Sequence, residues 1–216
     1  MKIVLYGATG RAGSRILTEL LARGHEVVAV VRNLDKLAPH DGLIVQQGDL
    51  SSVQGIVEAI GGAQAVVSAY GPPADKPEQV IDVTKREIAA VQQVSQHASS
   101  GHAPRLVVVG GAASLEVAPG EMLLNTKGFP AEWKGIAEAH EKALRLLQDS
   151  SIDWTYLSPS AFFEPGQRTG KFRLGQDQLL TAADGKSSIS MEDYAIALVE
   201  ELDQPQHRRQ RFTVGY

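Results

Sequence analysis

The chain has 216 residues, with 21 Lys and Arg against 25 Asp and Glu and a formal net charge of −4. A protein that grips duplex nucleic acid carries a basic surplus or stripe, so no nucleic-acid partner is expected. Cysteine is absent, which excludes a disulfide framework, a thiolate metal site and a cysteine nucleophile together. No apolar run reaches the roughly 18–20 residues that a bilayer demands, and the chain opens on a strand-like run. The expectation is one soluble, cytoplasmic domain over residues 1–216 with no membrane partner.

In chain order, Lys2–Tyr6 is β-rich and leads into Gly7-Ala8-Thr9-Gly10-Arg11-Ala12-Gly13. Ile16, Leu17, Leu20 and Leu21 then recur at helical spacing over residues 11–23, and Gly24 ends that helix. Glu26–Val31 reads as a strand covered on both faces, being apolar almost throughout. Leu43–Gln47 is a third strand, followed by Gly48-Asp49 and a helix starting near Ser51. Residues 64–69 form a fourth strand, and a long helix over about 77–98 presents Val80, Val83, Val91 and Val94 on one side. Arg105–Val109 is a fifth strand ending in Gly110-Gly111. Residues 131–148 are helical and 153–157 are a sixth strand. Short connections between alternating strands and helices predict an α/β fold, a doubly wound parallel sheet between two helical layers. Right-handed crossovers then select the Rossmann strand order.

Past Pro159 the rhythm changes. Residues 159–190 are rich in Gly, Gln, Asp and Ser and predict an irregular cap over the carboxyl edge of the sheet, with one hairpin from runs 171–174 and 178–181. Ser190-Met191-Glu192-Asp193 has the form of a capping box with Asp replacing Glu or Gln. A helix with Ala195, Leu198, Val199 and Leu202 buried follows, and residues 211–214 are a last strand.

Gly7-x-x-Gly10-x-x-Gly13 between the first strand and first helix is the context a dinucleotide requires. The first glycine permits a tight turn, the second lets backbone N–H groups approach a pyrophosphate, and the third seats the helix close to the sheet. The second strand ends in Arg32-Asn33 with no acid to bind a ribose 2′-hydroxyl. Arg32 offers a fork to a 2′-phosphate and Arg11 a second charge, so NADPH is expected ahead of NADH. A solvated loop charge is the plainer reading of Arg32, and Asp35 reads as a cap or turn residue. Asp49, beside Leu50, is placed either to accept from the adenine amino group or to cap the next helix, a role open to Ser51 as well. Ser68, Ala69, Tyr70 and Gly71 are expected beneath the pyrophosphate and nicotinamide ribose, with Tyr70 equally readable as a partly buried wall.

These motifs resemble the short-chain dehydrogenase/reductase superfamily and, within it, the atypical NAD(P)-binding branch. Gly7 to Gly13 matches the branch's GATGxxG loop. Arg32-Asn33, Gly48-Asp49 and Val107-Val108-Val109-Gly110-Gly111 fall where its later cofactor contacts lie, and Asp153-Trp154-Thr155-Tyr156-Leu157-Ser158-Pro159 is similar to its DWTxxxP strand. The run from Phe163 to Gly170, with Arg211 to Tyr216, resembles bacterial proteins named as NADH-flavin reductases. The resemblance spans essentially the whole chain.

Most members of the superfamily pass a proton through a Tyr-x-x-x-Lys pair. Here the residues four after Tyr6, Tyr70, Tyr156 and Tyr194 are Gly10, Ala74, Ser160 and Leu198, and Tyr216 is the last residue. Aligned on the sixth strand, the Tyr and Lys positions fall at Ile136 and His140. Carbonyl reduction by the tyrosine mechanism is therefore disfavoured. Hydride transfer to a flavin, or a planar acceptor such as a quinone, needs only proximity and stacking. The resemblance implies a flavin used as substrate rather than as a bound group. Pro159, Ser160, Phe162 and Phe163 are placed to line the acceptor pocket, unless the two Phe are ordinary core. Ser114 lies where relatives carry a catalytic serine, or is a loop serine. His140 is a proton donor or ribose contact, or an exposed helical histidine. The other histidines are scattered and suggest no metal. The alternative function is a non-catalytic NAD(P)-binding redox sensor of the NmrA-like type, which implies a protein partner.

Overall fold

The computed structural model describes residues 1–97 and 103–216, so the expected helix end at Ala98, and His102, lie outside the described residues. In β1 (Lys2–Tyr6), Ile3 and Leu5 point to one side and Val4 and Tyr6 to the other, all buried. The same alternation recurs through the sheet and divides the core into two layers. Following β1 are α1 (Arg11–Ala22), β2 (Glu26–Val31), β3 (Leu43–Gln47), α2 (Val53–Ile60), β4 (Ala65–Ser68), α3 (Gln79–His97) and β5 (Arg105–Val109). A small hairpin, β6 (Glu116–Ala118) and β7 (Glu121–Met122), precedes α4 (Ala131–Asp149) and β8 (Trp154–Ser158). The remainder holds β9 (Phe162–Glu164), β10 (Arg173–Gly175), β11 (Ser188–Ser190), α5 (Met191–Asp203) and β12 (Gln210–Gly215). No helix among the described residues is long and apolar enough to cross a membrane.

The main sheet runs β3-β2-β1-β4-β5-β8-β12-β10, parallel except for β10. This is the expected Rossmann order extended by an outer parallel strand and an antiparallel edge. The chain reverses direction across the sheet between β1 and β4, so their carboxyl ends open a crevice at the switch point. Helices α2, α3 and α4 pack on one face through Ile56, Val83, Val91, Leu144 and Leu147. Helices α1 and α5 pack on the other through Ile16, Leu20, Tyr194 and Leu198. Every helical crossover is right-handed except β8 to β12, whose helix lies on the α1 face although the chain advances in the direction it took from β5 to β8. The handedness rule reflects a short, taut strand–helix–strand unit, and the long 159–190 segment removes that tautness.

Three cap expectations change. Residues 178–181 form no strand; Gln178 makes only an isolated bridge to Glu116, and β10 pairs with β12 instead. In place of the expected hairpin, β9 pairs in parallel with β11, Phe162 opposite Ser188 and Glu164 opposite Ser190. Only half of the capping box forms: the Asp193 N–H donates to Ser190 Oγ at 3.0 Å, while the Ser190 N–H donates to the Tyr216 hydroxyl at 3.2 Å.

Asp193 turns elsewhere because it is needed there. Fully buried, it accepts from the Thr169 and Gly170 N–H groups at 2.7 and 2.8 Å, the Thr169 hydroxyl at 2.5 Å and the Tyr216 hydroxyl at 2.8 Å. These bonds outweigh the opposing effect of burial and hold its carboxyl below the usual range. Alongside, Glu192 accepts from the Gly166 N–H and from Arg15, Ser190 Oγ donates to the Gln167 carbonyl, and Arg168 forks onto Glu19. The run 166–170 is thus fastened to α1 and α5 residue by residue. Asp193→Ala removes the buried acceptor of four hydrogen bonds at once and is expected to cost about 3 kcal/mol. Thermal unfolding measures the loss, and hydrogen exchange should rise first at the Thr169 and Gly170 amides.

Candidate functional site

The crevice begins at the glycine turn. Gly7 has φ +77°, and a Cβ there would sit 2.2 Å from the Ala69 carbonyl oxygen. A Cβ on Gly13 would sit 2.0 Å from the Gly7 carbonyl oxygen. Only hydrogens fit where turn, β4 exit and α1 meet. The Gly10 N–H closes the turn onto the Gly7 carbonyl at 2.9 Å. Gly10 is the N-cap of α1, no side chain caps that end, and the first turn carries no acid. Thr9, Gly10 and Arg11 are exposed above it and Ala12 is half-buried. The first-turn N–H groups lack helical partners and carry the positive end of the helix dipole, an arrangement made for an anion.

Arg32 is exposed at the end of β2. Asn33 is occupied locally, its side chain accepting from the Asp35 N–H at 3.0 Å to start a single 3₁₀ turn. Asp49 accepts from the Ser51 N–H at 2.8 Å, while the cap of α2 is Ser52, not Ser51 or Asp49. Hydrogen bonds from Ser51, then the nearby charges of Arg32 and Arg86, hold the Asp49 carboxyl below its usual range. Arg86, on α3, donates to the carbonyl of the buried Leu50 at 3.1 Å. It is a second guanidinium beside Arg32 that the sequence reading missed. Tyr70 is half-buried, its hydroxyl donating to Gln79 Oε1 at 3.0 Å, with Gly71 exposed next to it.

At the other end of the crevice, Gly110 and Gly111 lie against Tyr156 and His140. A Cβ on Gly110 would be 2.2 Å from the Tyr156 ring, and one on Gly111 3.3 Å from His140. The Gly111 N–H donates to the Tyr156 hydroxyl at 3.0 Å, which lies 3.4 Å from His140 Nδ1. His140 is therefore not an exposed helical histidine. Burial pulls its pKa down to about 4 and drives that of the Tyr156 phenol up, so both are neutral at physiological pH. Tyr156 read from the sequence as a core strand residue, and nothing in the local pattern announced its hydroxyl.

The remaining candidates separate. Ser114 is buried and its Oγ accepts from Arg211 at 3.0 Å, a loop-serine arrangement. Pro159 is buried, and the Ser160 hydroxyl donates to the Val214 carbonyl at 2.9 Å. Phe163 turns inward, its ring centroid 4.6 Å from that of Tyr194, whereas Phe162 is 59% exposed.

Directly beneath the glycine turn the expected Ser68 of β4 lies with two residues that sequence reasoning missed, Tyr6 of β1 and Glu87 of α3, all buried. The Tyr6 hydroxyl and both Glu87 oxygens lack partners that satisfy hydrogen-bond geometry. The signal was present, since 80, 83, 87 and 91 share one helical face and an acid at 87 falls on the buried stripe.

A family model described as NAD(P)H-binding matches residues 7–205. The chain belongs to that family. An uncharacterized protein of Bacillus subtilis, YwnB, is 41% identical over 218 residues, covering 99% of this chain and 98% of its own. A "putative exported protein" of Burkholderia pseudomallei has a crystal structure 42% identical at a TM-score of 0.88, with both chains fully covered. A Streptococcus pneumoniae structure, described as a "putative NADH-flavin reductase", is 32% identical at a TM-score of 0.87, covering 100% of this chain and 99% of its own. The resemblance to the atypical short-chain dehydrogenase/reductase branch holds on these findings.

Burial raises the Glu87 carboxyl to about 7, with Ser68 pulling the other way. Tyr6 and Asp49 are the other titratable groups coupled to this cluster. Between an ordinary carboxyl pKa and 7 the folded chain keeps a proton that the unfolded chain releases. Stability therefore falls as pH climbs through that interval and levels off above it. Glu87→Gln is expected to remove this slope, gaining about 3 kcal/mol on the parent between pH 4.5 and 8. Urea unfolding across that range is the measurement.

Proposed function

We propose that the chain is an NADPH-dependent reductase that delivers hydride to a flavin or another planar acceptor such as a quinone, without a Tyr–Lys pair. The observation that carries this reading is the pairing of an anion-ready glycine turn with a far end of the crevice where His140 and Tyr156 are both neutral. The description of the Streptococcus pneumoniae relative agrees with it. In the crevice a reduced nicotinamide supplies hydride to the acceptor, with the balancing proton coming from solvent.

The chain's own work is binding and alignment. Gly7, Thr9, Gly10, Arg11, Ala12 and Gly13 hold the pyrophosphate on backbone N–H groups and the dipole of α1. Arg32, backed by Arg86, pairs with the 2′-phosphate, and Asp49 with Leu50 borders the adenine. Ser68, Ala69, Tyr70 and Gly71 form the floor. Gly110 and Gly111, kept bare by the close approach of Tyr156 and His140, admit the nicotinamide ribose, and Pro159 and Ser160 close that end. Held neutral, His140 serves as a hydrogen-bonding partner for the ribose or acceptor rather than as an acid. Phe162 supplies the aromatic surface for the acceptor, while Phe163 is core.

The reading is tested by mixing protein and NADPH with FMN, riboflavin and simple quinones and following loss of the reduced-nicotinamide absorbance. Saturable, acceptor-dependent oxidation is expected. Gly10→Val, whose Cβ meets the Gly7 carbonyl oxygen at a tight 3.2 Å and whose methyl groups stand over the turn, should abolish it while circular dichroism shows the fold retained. Tight NADPH binding without oxidation overturns the reading and fits the redox sensor. For the cofactor choice, Arg32→Ala is expected to weaken NADPH roughly 10–100-fold with little effect on NADH, and Arg86→Ala to act in the same sense more weakly. Equal losses for both nucleotides in titrations would defeat the 2′-phosphate assignment.

A further inference from the structure

The parallel pair β9 and β11 has two unlike faces. Phe163 and Ile189 point into the core, while Phe162, Glu164, Ser188 and Ser190 line the opposite face, which floors a groove of about 580 Å³. That volume suits a small organic molecule. Opposite Phe162 in register stands only a serine, so the flank of the ring is uncovered. The groove is rigid on one side, because the run 166–170 is fastened to α5 through Glu192 and Asp193 and the Tyr216 hydroxyl bonds to Ser190 and Asp193.

Two charged side chains line the groove. Glu164 lies 3.9 Å from Arg11 of the glycine turn, an exposed pair that joins this face to the cofactor crevice. Lys186 is exposed with its ammonium 5.8 Å from the centroid of Phe162, and among the described residues no carboxylate lies within ion-pair distance of it. An exposed aromatic ring with a free cation over it, in a prebuilt groove, matches a flat unsaturated ring bearing an anionic group.

We propose that this groove receives the charged end of the acceptor: an unsaturated ring lies against Phe162 and an attached phosphate or carboxylate pairs with Lys186. The proposal rests on the reductase reading for its choice of ligand, and it selects phosphorylated flavins over neutral ones. Stacking on Phe162 acts on every flat acceptor alike, so the selectivity resides in Lys186.

The test is binding, read separately from turnover. FMN and riboflavin are titrated with protein at low ionic strength, and quenching of flavin fluorescence is followed. FMN is expected to bind roughly fivefold or more tighter than riboflavin, the advantage shrinking as salt is added. Lys186→Ala should erase the difference by weakening FMN alone, and Phe162→Ala should weaken both flavins. Equal affinities in the parent protein, an FMN preference that survives Lys186→Ala, or no saturable quenching by either flavin overturns the proposal. NADPH-driven FMN reduction with no Lys186-dependent binding defeats the subsite and leaves the reductase reading standing. Lys186-dependent FMN binding with no NADPH oxidation supports the subsite and defeats the reductase reading.

Discussion

Above the carboxyl end of β1 three backbones cross with no side chain between them: the turn at Gly7, the exit of β4 at Ala69 and the start of α1 at Gly13. The near-contacts that a Cβ would make there, 2.2 and 2.0 Å with carbonyl oxygens, mean that each approach exists only because the residue is glycine. This crossing sets where the uncapped end of α1 points. It also fixes the depth of the crevice floor, since Ser68 and Tyr70 flank the residue that Gly7 touches. A helix seated one methyl group further out would turn its free N–H groups away from the switch point, and the crevice would lose its anion site while the sheet remained intact.

The other half of the site depends on α5. A parallel sheet can be built from strong local signals, but its lid has to be tied down with polar groups because its residues are too hydrophilic to be held by burial. Three of the four residues at the head of α5 do this. Ser190 caps the helix and grips Gln167, Met191 is buried, Glu192 takes Gly166 and Arg15, and Asp193 takes Thr169, Gly170 and Tyr216. The run 163–170 that resembles flavin reductases is thereby explained in structural terms. Its glycines and small polar residues offer backbone groups to those carboxylates, and its outer face is left free as a groove.

How much of this was legible in the sequence follows from the range of the forces involved. Alternation at period two, helical spacing and glycine stops act over a few residues, so the six main-sheet strands up to β8 and the helices between them were readable, while the short β6–β7 hairpin was not. So was the glycine turn, because its three glycines answer constraints imposed within one βα unit. Strand pairing in the cap was not readable: β9 pairs with β11 across more than twenty intervening residues, and neither strand has an alternation long enough to declare itself. The head of α5 misled for the same reason. Locally Ser190-x-x-Asp193 is a capping box, yet Asp193 answers to a loop that precedes it by over twenty residues. Arg86, Glu87 and Tyr156 sit at ordinary helix and strand positions, and only the tertiary packing brings them to the crevice.

The chemistry of the far end follows from what burial does to ionisable groups. A tyrosine mechanism needs a phenol whose pKa is lowered by a nearby cation. Here the phenols at the crevice, Tyr70 of the floor and Tyr156 beside Gly110 and Gly111, are both raised instead, the neighbour of Tyr156 is a histidine held neutral, and Glu87, raised to about 7, lies beneath the glycine turn at the other end. Desolvation has removed charge from the place where a carbonyl oxygen would need a proton. The same environment suits hydride transfer between flat rings, which develops little charge on the protein and gains from a dry, close-fitting wall. Gly110 and Gly111 make the room that the Tyr156 ring and His140 take at this end of the crevice, and the two side chains meet there with no charge between them.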